Sequence, residues 1–169
     1  VADDYDESAR QLDPEAWRSL GVPLLRDPRS VVTRLHGLHR PVSGTGIVAV
    51  LDAEERPVAS ASFALGGAPA DGWRCRNTLL AQLRGIVPDD LRRSAPVRTT
   101  VLLVCRPGSP VWQPGDGRWM WGLWDACTLH GLRCGAVVTV GAGGWSPVGD
   151  DRAGRTPAVD AEAPSLRVV

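Results

Sequence analysis

Apolar and polar positions change period several times along the chain, and those changes outline the elements. Val31, Val32, Leu35 and Leu38 recur at helical spacing behind Asp27-Pro28, and another Asp-Pro pair stands at Asp13-Pro14. Aspartate accepts hydrogen bonds from the orphan amides of a first turn and proline suits that turn, so each pair predicts a helix start. Pro41 stops the second helix. An apolar run from Gly46 to Leu51, a polar turn from Asp52 to Arg56 and an alternating run from Val58 to Leu65 predict a β-hairpin. Gly66, Gly67, Pro69 and Gly72 form a loop, and Leu79, Leu80 and Leu83 mark the inner face of a helix from Arg74 to Gly85.

The stretch from Thr99 to Val104 is almost uninterrupted in its apolar, β-branched character, which predicts a strand covered on both faces in the interior of a sheet. A Pro/Gly-rich loop from Arg106 to Gly115 leads into a helix from Asp116 to His130, closed by Gly131. A strand from Ala136 to Val140, a glycine turn and a short strand from Trp145 to Val148 follow. From Gly149 to Val169 charge mixes with proline and small residues without a period, and a disordered tail is expected. The fold class is thus α/β, a mixed central sheet flanked by helices. Residues 1–41 form an N-terminal helical segment packing on the core, 42–148 the α/β domain and 149–169 the tail.

Composition narrows the function classes. The 19 basic and 19 acidic residues balance, so no overall field draws the chain to nucleic acid or an anionic membrane. Every basic residue is arginine, and with abundant Ala, Gly, Pro and Val this reads as the codon bias of a GC-rich bacterium. No apolar run approaches the roughly 20 residues of a membrane span, and Val1 to Tyr5 is acidic, unlike a targeting leader, so a cytoplasmic address is expected. Cys75, Cys105, Cys127 and Cys134 contain no CxxC pair and are read as separate reduced thiols.

The order β-β-α-β-loop-α-β resembles the RadC-like branch of the JAB/MPN metalloprotease family. Val101-Leu102-Leu103-Val104, followed by Cys105-Arg106-Pro107-Gly108-Ser109-Pro110, looks like the family strand that leads into its His-Asn-His-Pro-Ser-Gly signature. Asp116 stands where the family has its ligand aspartate, and Leu123, Ala126 and Gly131 continue the family helix pattern without gaps. Val137 to Gly141 resembles the next strand and turn, Val48 to Ala53 the first strand, and Arg74-Cys75-Arg76-Asn77 the opening of the first domain helix. The likeness covers about residues 44 to 148 and implies the three-layer, cytidine-deaminase-like architecture of that family.

The resemblance also implies a zinc hydrolase whose metal has three protein ligands and one water. Here the two histidine positions hold Cys105 and Pro107, the acidic residue before the first strand is replaced by the Gly44-Thr45 region, and only Asp116 is kept. Two ligands are too few for a defined catalytic zinc, so no cofactor is expected. His36 and His39 lie on an earlier helix, where solvent-facing or capping roles are commoner, and His130 is about 20 Å from Asp116 along one helix. Asp116 also has an ordinary role at a helix start, and Cys105 that of a small buried apolar residue, although Arg106 beside it would lower a thiol pKa.

Seven tryptophans against one Phe and one Tyr must supply the aromatic packing. Trp119, Trp121 and Trp124 cannot share one helix face, so at least one is expected outward or against a cleft. The sequence therefore points to a degenerate JAB-like binding or scaffold protein. Its partner, a protein or small molecule, would sit in the former cleft against Arg76, Arg106, Ser109, Trp112, Arg118 and Trp119. A second reading is an enzyme with zinc-independent chemistry at Cys105 and Asp116 acting on a peptide or small molecule. A third, DNA association, is disfavoured by the neutral charge. No membrane partner is expected, and a homodimer is compatible with the sequence.

Overall fold

The run at 99–105 forms the middle strand of a five-stranded open sheet in the computed structural model, which describes residues 10–66, 71–87 and 98–159. In chain order the elements are α1 (Pro14–Ser19), α2 (Pro28–His39), β1 (Thr45–Leu51), β2 (Pro57–Ala64), α3 (Gly72–Ile86), β3 (Thr99–Cys105), α4 (Asp116–His130), β4 (Arg133–Gly141) and β5 (Gly144–Pro147). The strands lie in the order β2-β1-β3-β4-β5. β1 is antiparallel to both β2 and β3, β3 is parallel to β4 through α4, and β5 returns antiparallel to β4. The sheet is therefore mixed and the class α/β.

Alternation along the inner strands separates two cores. Val48, Val50, Leu102, Val104 and Val137 face α3 and α4, where Leu79, Leu83, Met120 and Leu123 are buried. Ile47, Ala49, Leu103, Cys105, Val138 and Val140 face Val31, Val32 and Leu35 of α2. β1 and β3 are covered on both sides, which is why neither shows a polar alternation, whereas edge strand β2 does.

The predicted caps form. Asp13 Oδ1 accepts from Ala16 N at 2.7 Å and Asp27 Oδ1 from Ser30 N at 3.1 Å, while Gly131 ends α4 with φ 68°. α3 starts two residues earlier than expected, behind an Asp71 cap. The loop glycine and proline at 67 and 69 fall outside the described residues.

The expected disordered tail needs correction over 149–159. Gly154 pairs with Trp145 through both backbone hydrogen bonds, at 2.9 and 3.1 Å. Val159 is buried and donates to Gly141 O at 3.0 Å. Arg152 reaches back to the carbonyls of Leu25 and Arg26 at 2.5 and 2.9 Å, and His36 Nε2 meets Ala158 O at 3.1 Å. A segment without hydrophobic period is thus held by backbone pairing and long arginine contacts, which leave no periodic trace in sequence. Residues 160–169 lie outside the described set.

Candidate functional site

β3 ends at Cys105, and the alternation of its last residues decides what each side chain meets. Val104 belongs to the α3/α4 side of the sheet and Cys105 to the α2 side. Arg106 turns towards α4 and binds the carboxylate of Asp116 with two parallel bonds, Nε to Oδ1 and Nη2 to Oδ2, each 2.8 Å. Both side chains are withdrawn from solvent, at 13% and 3% exposure. Such a fork-to-carboxylate pair is strong and directional.

The same guanidinium gathers the loop. Its Nη1 donates to Ser109 O at 2.7 Å and its Nη2 also to Val111 O at 2.8 Å. Asp116 Oδ2 in turn accepts from Gln113 N at 2.8 Å. On the β4 side, Thr139 Oγ1 bonds Pro110 O, and Ala142 N donates to Gly108 O at 3.1 Å. Leu12 N donates to Gly117 O at 3.1 Å, which lays the 10–12 segment across the first turn of α4. Where the resemblance implies a metal and an open cleft, the described residues form a hydrogen-bond network.

The predicted site residues separate accordingly. Arg106, Asp116 and the Ser109 backbone meet, but the Ser109 hydroxyl only accepts from Val111 N at 3.2 Å, a local turn contact. Trp112 Nε1 donates to Met120 Sδ at 3.3 Å, and Trp119 is buried with its ring 5.8 Å from Phe63. Arg118 is half-buried and acts electrostatically on Cys75. Arg76 belongs elsewhere: it bonds Asp125 at 3.1 Å and stacks 4.2 Å from the Trp73 ring, which Trp121 meets edge-on at 5.5 Å. Trp121 is half-buried, and Trp124 lines a pocket with Cys127 and Cys134, so one of the three helical tryptophans does stand against a cleft.

Cys105 and Asp116 do not form a joint reaction centre, because the sheet stands between the core that takes the thiol and the helix that carries the carboxylate. Burial pushes the Cys105 thiol up to about 12, and Arg106, turned to the other face, does not lower it. Native protein at pH 7.5 is therefore expected to leave Cys105 unlabelled by iodoacetamide on a timescale that fully labels the urea-unfolded chain. Rapid native labelling of Cys105, read by peptide mass, would revive the thiol enzyme. His36 and His39 make polar contacts of their own: His39 Nε2 lies 2.7 Å from Ser60 Oγ on β2. Desolvation lowers the His39 pKa.

The family resemblance did not reveal Arg29, Trp145 and Arg155, which line one pocket of about 520 Å³ with Pro110 and Gly143. The only local signal was a Gly-Gly-Trp turn, and the arginines join it solely through the fold. No family model, curated protein or solved structure matches the chain. No helix among the described residues is long and apolar enough to cross a membrane.

Proposed function

We propose that the chain is a non-catalytic binding module on a degenerate JAB/RadC-like domain. The observation that carries this reading is the Arg106–Asp116 pair. The one carboxylate in register with a family zinc ligand gives both oxygens to a guanidinium, which supplies the positive charge a metal would bring. The β-β-α-β-α-β order of the described elements is in keeping with the resemblance. With Trp112, Trp119 and Arg106 committed to packing, the binding surface lies around the sealed loop and not in a cleft at Asp116.

Zinc retention tests this directly. Protein incubated with excess zinc and then dialysed is expected to hold far less than one equivalent, and Asp116→Asn is expected to hold no less than the parent. A full equivalent that disappears in Asp116→Asn would restore a metal centre and overturn the reading.

A further inference from the structure

Pro110, in the loop that seals the Arg106–Asp116 pair, forms one wall of the pocket of about 520 Å³. Segments far apart in sequence meet there: Arg29 from the first turn of α2, Gly143 from the β4–β5 turn, Trp145 from β5, and Gly154 and Arg155 from the segment beyond. The depression is shallow and open, so a ligand held there keeps one side in water.

The charge of the walls is one-sided. They hold two guanidinium groups and no carboxylate. Among the described residues Arg29 and Arg155 take part in no ion pair, and the Arg29 guanidinium stands 5.8 Å from the Trp145 ring centroid. A second polar pocket differs in kind: it is lined by Arg26, Arg34 and Arg56 together with Asp27, Glu54 and Glu55, and two of its three cations, Arg26 and Arg56, are answered within the fold by Glu55 and Asp52.

The floor is rigid. Trp145 is buried, pairs with Gly154 through both backbone bonds and donates its indole N–H to Thr156 O at 2.8 Å. A side chain at Gly154 would come within 2.6 Å of that indole nitrogen, so glycine is required for the close approach. Arg155 is thereby presented from a fixed backbone, which lowers the ordering cost of binding.

We propose that this pocket binds a small molecule carrying a phosphomonoester, with Arg29 and Arg155 on the phosphate and Pro110 and Trp145 against the organic part. The inference rests on the binding-module reading and names its ligand class. Two planar forks suit the geometry of phosphate oxygens, and two positive charges balance a phosphomonoester of about −1.5 to −2.

Calorimetric titration at low salt with ribose 5-phosphate and adenosine 5′-monophosphate tests it, with adenosine as the uncharged control. Both phosphates should bind and adenosine should not. Arg29→Gln and Arg155→Gln should each weaken binding by roughly tenfold or more while the melting temperature stays unchanged, because both side chains are exposed. Failure of both phosphates to bind, or parental affinity in both variants, overturns the proposal. So does tight binding of a single-stranded oligonucleotide that is insensitive to the two substitutions, which would mark general nucleic-acid affinity. If the phosphates fail while zinc is still not retained at Asp116, the ligand class falls and the binding-module reading stands; zinc retained at Asp116 removes that reading itself.

Discussion

Replacing Arg106 with alanine is expected to lower stability by about 3–5 kcal/mol, a large part of what holds a domain of this size folded. The change strands the Asp116 carboxylate, only 2% exposed, without its cation, and leaves the carbonyls of Ser109 and Val111 without their donors. A buried charge that loses its partner costs more than the pair contributes, because the remaining ion keeps its desolvation penalty. Arg106→Lys keeps the charge but not the fork, so an intermediate loss is expected. Arg106→Leu combined with Asp116→Leu should recover part of the single-variant loss, since neither charge then remains buried. Urea midpoints of the four proteins order these losses. An Arg106→Ala midpoint equal to the parent's would show that the pair does not hold the loop.

Alkaline pH is expected to unfold the protein well before any arginine could titrate. Burial pushes the thiols of Cys75 and Cys105 up to about 12, and that of Cys134 is raised as well by its contact with Cys127 and by burial. The native state therefore keeps protons that the unfolded chain releases near the ordinary thiol value. This contribution is complete below about pH 9 and is lost as pH rises towards 12, by up to about 1.4 kcal/mol per pH unit for each thiol. Three thiols together approach about 4 kcal/mol per unit, enough to exhaust ordinary domain stability within a few units. With no lysine in the chain, no side-chain ammonium titrates in that window. Urea unfolding at pH 8, 9.5 and 10.5 reads the slope, and Cys105→Ala should flatten it by about a third whatever its effect at neutral pH. A stability that does not change up to pH 10.5 would contradict the buried, protonated thiols.

Much of the architecture was legible because its causes are local. Asp13-Pro14 and Asp27-Pro28 carry both the cap and the first-turn residue, Gly131 supplies a left-handed helix end, and the run at 99–104 lacks the alternation of a half-exposed strand. The site was legible only in outline. The sequence places Asp116 at a helix start, and the structure keeps it there. It places Cys105 and Arg106 side by side, and the structure sends them to opposite faces, since neighbours on a strand point in opposite directions.

By itself the sequence determined the elements, their order and the interior position of β3, because hydrophobic period, capping and glycine placement act over a few residues. Tertiary structure alone decided that Arg106 closes on Asp116 and ties down the loop, a choice made by where the loop returns to the start of α4. It also decided that residues 149–159 are ordered, since their backbone is satisfied by Trp145 and Gly141, strand positions set by the sheet. The meeting of Arg29 with Trp145 and Arg155 has the same origin. No periodicity brings these three together; the packing of α2 on one face of the sheet does.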